Sequence, residues 1–431
     1  MGMASSETGT FRRTPHGERI VPILFGADLL IYSYAREFMH SYGVRSRVLC
    51  ANDVKVVTSS KYLVPTIDPG IEDVSHLLDV TKRMVAEAAS EGIPVLLGSG
   101  DWYAEFLSTH KEELTEVARK EGCDHIVIPY VDIDLFQTIM HKDSFYDLCE
   151  EVGVPHPKTV QIDVPATETL PTDEELGLGY PVILKPSDSA AWHYAEFEGK
   201  EKVSELPDRD SLDGLYSAIR GSSYDKKLIL QDRIPGDDTV LYSLTVFCDH
   251  GRLVRSTIGH VLLQDHDPMA LGNPVCIMDT MNESCHQMLI DCASRIVERL
   301  GYTGYGNFDV MHDIRDNSYR FLEMNARPGR NSYYVSLAGE SFVKPIIDTM
   351  VYGKKLEYRD LSKHFLFCAV PTSLIKRYVK DEELCERAMD RISRGAMGNP
   401  LEDPHDTVAH AMWERVTRTH QISKFAKNYR I

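Results

Sequence analysis

Two periods of hydrophobic positions alternate along the first third of the chain. Val21–Ala27 is an unbroken apolar run, whereas Leu29–Ser41 repeats its apolar positions at the three-to-four spacing of a helix. Asp28, just ahead, is placed to cap that helix. Val44–Ala51 predicts a second strand, Ser75–Ser90 a helix, Pro94–Gly98 a strand, Asp101–Lys120 a helix and His125–Tyr130 a strand. Strands separated by helices of this length predict a parallel sheet covered on both faces. Residues 19–131 are therefore expected to form a Rossmann-like domain. Residues 1–18 are polar and aperiodic and are expected to be disordered. The opening Met1-Gly2-Met3-Ala4-Ser5-Ser6 fits the loose myristoylation pattern, although a start ahead of Met3 is the plainer account.

From about Asp132 the pattern changes. Leu135–Val152 has helical spacing, and β-type segments then dominate: Val182–Pro186, Trp192–Phe197, Lys227–Ile234, Thr239–Asp249, Arg252–Gln264 and Val275–Thr280. Short turns such as Asp249-His250-Gly251 join several of them, which predicts antiparallel sheets. Glu283–Leu300 is an amphipathic helix with Gly301 as its stop, and Tyr305–Asp313 and Tyr319–Ala326 flank a polar turn. A mixed tail follows from about Lys354.

The chain has 431 residues, too many for one ordinary compact domain. No stretch approaches the roughly 18–20 apolar residues of a membrane helix. The net charge of −18 opposes a phosphate backbone, so nucleic acid is not expected as a partner. Nine scattered cysteines form no CxxC pair and no metal spacing, which suits reduced core residues of a cytoplasmic protein.

The most informative segment is Gly304–Met311 with Tyr319–Arg327. Side chains alternate faces along a strand, so Glu323, Asn325 and Arg327 share one face, as do Asn307 and Asp309. Leu322, Met324 and Ala326 are expected on the core side. A hairpin symmetric about Asp316 sets Asp309 opposite Glu323. Like charges so placed destabilise a ladder unless a hard cation lies between them. Asp309, Glu323 and Asn325 thus form a candidate Mg²⁺ site, and Arg327 could reach a phosphate held by the same metal. A solvated hairpin with charged outer residues is the alternative.

Weaker signals precede it. Val182–Pro186 carries Lys185 at its end, followed by small residues whose N–H groups could approach a phosphate, although no Walker A or strand–GxGxxG–helix unit occurs. Gln231-Asp232-Arg233-Ile234 runs into a Pro-Gly turn. Its free backbone groups could read an adenine edge, and Asp237 or Asp238 could bond a ribose hydroxyl. Gly98-Ser99-Gly100-Asp101 follows a strand where ligands sit in parallel sheets, but also reads as a helix start with Asp101 as N-cap.

Taken in order, a helix with Lys142, the strand ending in Lys185, the Gln231–Asp238 hinge and the Asp309/Glu323-x-Asn325-x-Arg327 hairpin resemble the ATP-grasp superfamily over about residues 136–335. The resemblance implies an α/β first domain followed by an ATP-grasp domain of two α+β subdomains, at 132–236 and 237–353, with a C-terminal segment from 354. It implies ATP with phosphates on Lys142 and Lys185, adenine at Gln231, Asp232, Arg233 and Ile234, and ribose at Asp238. One or two Mg²⁺ ions, replaceable by Mn²⁺, would lie on Asp309, Glu323 and Asn325, with Arg327 steadying the transferred phosphoryl group. Phe25–Phe38, Tyr42–Ser46, Gln231–Asp238 and Gly259–Leu263 leading to Gly272-Asn273 are similar to the peptidoglycan D-aspartate ligases. Two departures are Asp232, where glutamate is common, and a small-residue loop without glycine.

The expected function is therefore a ligase that activates a carboxylate as an acyl phosphate and joins it to an amine. The resemblance points to D-aspartate and the lysine of a cell-wall precursor, with Arg330 as the candidate for the second carboxylate. No membrane insertion is expected, and a homodimer is compatible with the resemblance. The alternatives are another ATP-grasp amino-acid or dipeptide ligase, or a nucleotide-binding protein without turnover. An NAD enzyme is disfavoured, since Gly26-Ala27-Asp28 lacks the dinucleotide fingerprint.

Overall fold

The computed structural model describes residues 19–201, 203–268 and 270–429, so the expected disordered leader lies outside the described residues. The first sheet contains β1 (Ile20–Phe25), β2 (Ser46–Cys50), β3 (Leu63–Ile67) and β4 (Ile93–Gly98), all parallel in the order β3-β2-β1-β4. Strand β1 is buried along its whole length, as its unbroken apolar run requires. Asp28 caps the helix Leu29–Tyr42, accepting from Leu30 N at 3.0 Å and Ile31 N at 3.2 Å.

Three expected elements differ here. The strand His125–Tyr130 reduces to one bridge, Val127 beside Val95. Pro129 has no N–H to extend the ladder, and the Tyr130 hydroxyl turns back to accept from Gly98 N at 2.8 Å. The helix Asp101–Lys120 is parted at His110 into Asp101–Thr109 and Lys111–Lys120. The helix Leu135–Val152 is likewise two, Ile133–Met140 and Lys142–Val152, separated by His141 in an extended conformation. That break makes Lys142 the first residue of a new helix.

The second sheet is antiparallel, with β5 (Thr159–Asp163), β6 (Val182–Pro186), β7 (Ser204–Leu206) and β8 (Lys227–Asp232) in the order β5-β8-β6-β7. The helix Arg209–Arg220 shares its core through Leu212, Tyr216 and Ile219. Trp192–Phe197, expected as a strand, instead overlaps the helix Ser189–Tyr194. Asp188 caps this helix by accepting from Ala191 N at 2.9 Å. The apolar positions Trp192 and Ala195 are three apart, so a helix buries both.

The third sheet has eight strands: β9 (Leu241–Asp249), β10 (Arg252–Gln264), β11 (Pro274–Asp279), β12 (Gly304–Asp313), β13 (Ser318–Asn325), β14 (Arg359–Asp360), β15 (Leu366–Cys368) and β16 (Met397–Gly398). The main path is β13-β12-β9-β10-β11-β15-β16, with β14 beside β10. The helix His286–Leu300 covers one face. Its Leu289, Ala293 and Ile296 belong to the same apolar core as Val21 and Leu96 of the first domain. The first sheet and the large sheet are thus held by continuous packing. Among the described residues no helix is long and apolar enough to cross a membrane.

The tail is fastened to the large sheet through Asp279 at the end of β11. This buried carboxylate accepts from Arg391 Nε at 2.8 Å and Phe365 N at 3.0 Å, with His364 Nδ1 also at 3.0 Å. Burial alone would raise its pKa, but the bonds from Arg391 and His364 outweigh burial and hold the carboxyl below its ordinary value. The pair's contribution is thus present above the unfolded carboxyl pKa and lost as pH falls through the folded one. We expect Arg391→Leu to destabilise the protein by about 3–5 kcal/mol at neutral pH, because it strands a buried charge. The deficit should narrow as pH falls from neutral into the acid range, because without Arg391 the buried Asp279 carboxyl protonates at a higher pH than in the wild type. Denaturant unfolding of both proteins across that range checks it.

Candidate active site

The hairpin β12–β13 has the register that the alternation predicts at its functional end. Asp309 pairs with Glu323 and Asn307 with Asn325. A bulge interrupts the ladder between Asp309 and Val310, so that Val310 pairs with Phe321 and Leu322 is the extra residue. Leu322, expected on the core side, therefore lines the cavity, and Phe321 takes the buried position.

That cavity has a volume of about 370 Å³. It brings together seven of the residues expected at the site: Lys142, Lys185, Asp309, Glu323, Asn325, Arg327 and Arg330. Lys142 Nζ lies 3.5 Å from Glu323 Oε2. Burial, followed by the field of Glu323, pushes the Asp309 carboxyl well above the ordinary carboxylate range. The Asn307 amide, which donates to Asp309 at 3.3 Å, and the Arg327 charge act in the opposite direction. Ser243 and Thr245 donate to Asn307 Oδ1 at 3.2 and 2.8 Å, which leaves the amide nitrogen pointing at Asp309.

The donor chemistry fits a hard divalent cation. Two carboxylates and an amide oxygen project from facing strands, and the carboxylate pair carries a penalty that a cation removes. No group of three or more His, Cys, Asp or Glu side chains converges on a metal position among the described residues. A Mg²⁺ ion here would complete its shell with water and phosphate oxygens, as this ion usually does.

The adenine and ribose assignments fare differently. Gln231, Asp232, Arg233, Ile234 and Asp238 do not line this cavity. The Gln231 side chain donates to Thr159 Oγ1 at 2.8 Å, and Arg233 pairs with Glu205 at 2.8 Å. Asp238 is buried with its oxygens engaged: it accepts from Gln264 N at 2.8 Å, and His266 Nε2 lies 3.0 and 3.1 Å away. It acts as an internal anchor here, because a carboxylate shielded from water takes up the nearest donors.

Other cavity residues, Tyr242 and Gln264 among them, carry no signal for the site in the sequence, and Asp101 carries an ambiguous one. Tyr242 lies on β9, its hydroxyl donating to Glu283 at 2.8 Å, and Gln264 ends β10. Asp101 accepts from Arg327 Nε at 2.6 Å across the domain boundary. It is not the N-cap: Gly100 occupies that place with φ 83°, a conformation glycine tolerates, and Asp101 is the first helical residue. Its position after a strand of a parallel sheet was the available signal. Arg330 Nε lies 3.6 Å from Asp28 Oδ2, so the first domain meets both arginines with a carboxylate. The cavity sets four cationic side chains against three carboxyl groups in a protein of net charge −18.

A cavity between an antiparallel sheet and a large mixed sheet, with phosphate-seeking cations on one side and metal-seeking carboxylates on the other, is the layout of an ATP-grasp enzyme. A family model described as the carbamoyl-phosphate synthase L chain, ATP binding domain, matches residues 275–344. The D-aspartate ligase of Enterococcus faecium (strain Aus0004) is 31% identical over 392 residues, covering 89% of this chain and 90% of that one. The chain belongs to the same family as that enzyme. The fold is similar to an L-amino acid ligase from Bacillus licheniformis, with TM-score 0.54, 14% identity and coverage of 79% and 75% of the two chains. It is also similar to the biotin carboxylase domain of Hydrogenobacter thermophilus 2-oxoglutarate carboxylase in complex with MgADP and bicarbonate, with TM-score 0.54, 15% identity and coverage of 80% and 72%. The protein is an ATP-grasp carboxylate–amine ligase, which forms a C–N bond with conversion of ATP to ADP and phosphate.

If Glu323 is a metal ligand, Glu323→Gln should keep its melting temperature within a few degrees and lose ATP turnover by about 100-fold or more, the scale of removing a transition-state electrostatic contact. Calorimetry paired with a phosphate-release assay decides it. A folded Glu323→Gln protein at full activity would remove the assignment.

Proposed function

We propose that this ligase activates D-aspartate and joins it to the lysine side-chain amine of a peptidoglycan precursor in the cytoplasm. Similarity to a D-aspartate ligase along almost the whole chain, first domain included, is the observation that supports this most.

In the first step a substrate carboxylate oxygen attacks the γ-phosphorus of ATP. The bond to the β–γ bridging oxygen breaks, and ADP leaves an acyl phosphate. In the second step the amine nitrogen, having lost its proton, attacks the acyl carbon. The C–O bond to phosphate breaks, and an amide and inorganic phosphate result. Phosphoryl transfer of this kind depends on alignment and charge neutralisation. Lys142 and Lys185 would hold phosphate oxygens, and Arg327 would meet charge developing on the transferred group. Asp101, bonded to Arg327, would fix the plane of its guanidinium. Mg²⁺ on Asp309, Glu323 and Asn325, as one or two ions replaceable by Mn²⁺, would supply charge neutralisation when bound. The unpaired state of the nine cysteines suits a reducing compartment.

An acidic amino acid brings a second carboxylate, and the overall charge opposes it. Arg330 is the group we assign to it. Its contact with Asp28 is loose and its side chain is 43% exposed, so a substrate carboxylate can replace Asp28 at little cost. Arg330→Ala should raise KM for the acid by about tenfold or more while KM for ATP stays within about twofold, the pattern of lost substrate binding. A phosphate-release screen over D- and L-amino acids with lysine-containing precursor peptides should favour D-aspartate over L-aspartate. Equal turnover of the two, or turnover of neutral amino acids alone, would sink the aspartate assignment and leave the ligase standing.

A further inference from the structure

The helix Val408–Asn428 ends against the wall of the active-site cavity. Lys424 Nζ lies 2.6 Å from Asp265 Oδ2, with the two side chains only 17% and 4% exposed. Asn428 Nδ2 donates to Asp267 Oδ2 at 3.2 Å, and the Tyr429 ring centroid lies 4.3 Å from that of His266. Three consecutive residues after β10 thus meet the end of this helix.

Those three residues are tied to the cavity in two directions. Asp265 closes the connection between β10 and β11: its N–H donates to Asn273 O at 2.8 Å, and Gly272 N donates to Asp265 O at 3.1 Å. Leu271, Gly272 and Asn273 line the cavity. In the other direction, His266 and the backbone of Gln264 hold Asp238, which starts the segment leading from the Gln231–Ile234 hinge into β9. One part-buried ion pair therefore stands behind both the cavity wall and the joint between the two sheets. Docking of the helix has its own contacts. Phe425 is buried against Tyr378, with ring centroids 5.6 Å apart, and Arg418 pairs with Glu414 at 3.1 Å without touching the connection.

We propose that Lys424 is a positioning residue for ATP: by holding Asp265 it fixes the Leu271–Asn273 wall and the Asp238 joint in the geometry that receives the nucleotide. The inference rests on the cavity being the nucleotide site. A displacement of about 1 Å in such a wall is enough to cost a large factor in binding or rate.

The test uses the full chain, five single variants and one double variant. Lys424→Met keeps the apolar stem and removes the charge. Lys424→Arg keeps the charge, Asp265→Asn removes its partner, Arg418→Ala is the docking control and Lys185→Ala is the control for the nucleotide site. KM for ATP, kcat, ADP affinity by calorimetry and melting temperature are measured for each. Lys424→Met should raise KM for ATP and weaken ADP about tenfold with kcat changed less, Lys424→Arg should restore most of it, and the double variant with Asp265→Asn should be no worse than either single, as for residues acting as one pair. Arg418→Ala should lower the melting temperature alone. Lys424→Met behaving like Arg418→Ala, with KM for ATP within about twofold of wild type, overturns the proposal. In that case a weakened Lys185→Ala leaves the nucleotide site in place, while unchanged ADP affinity in Lys185→Ala as well removes the site along with it.

Discussion

Two carboxylates, Asp309 and Glu323, face each other across a β-ladder, and much of the structure is arranged around that opposition. A ladder tolerates such a pair only if cations come close. Lys142 approaches Glu323 because a helix is broken at His141 and restarts with that lysine. Arg327 lies at the other end of the same face, held by Asp101 from another domain. The bulge at Leu322 ends the regular pairing just beyond the carboxylates and turns an apolar side chain into the cavity. Each feature has a local cause, and together they leave a site that a divalent cation would complete.

The same opposition explains how a protein of net charge −18 can use an anionic cosubstrate. The field that matters is local. Four cationic side chains converge on the cavity, drawn from the helix Lys142–Val152, from β6 and from the segment after β13. The first domain contributes carboxylates, Asp28 and Asp101, that lie beside Arg330 and Arg327. Continuous packing between the first domain and the large sheet keeps these pairs in register.

Much of this was legible in the sequence where a strict period governs. The face shared by Glu323, Asn325 and Arg327 follows from strand alternation, and the facing of Asp309 and Glu323 from a turn centred on Asp316. The Asp28 cap and the apolar β1 were legible for the same kind of reason. What failed has a common origin in tertiary or backbone effects that leave no periodic trace. The bulge at Leu322 shifts one position out of phase. The helix Ser189–Tyr194 is too short for a period of 3.6 to separate it from a strand, and its cap decides the matter. That Gln264 and His266 fold onto Asp238 leaves no trace in the sequence, since more than twenty positions separate them. Asp101 looked like a cap because its partner Arg327 lies in another domain.

We infer that the Asp309–Glu323 opposition costs stability and that metal and nucleotide relieve it. Thermal melting of wild type and Asp309→Asn, each at pH 8 with and without Mg²⁺ and ADP, tests it most directly. Neutralising one carboxylate should raise the melting temperature of the bare protein and abolish most of the rise that Mg²⁺ and ADP produce in the wild type, since ligand stabilisation follows affinity. A bare Asp309→Asn protein that melts lower than wild type, yet is stabilised by Mg²⁺ and ADP as strongly as wild type, would contradict the account.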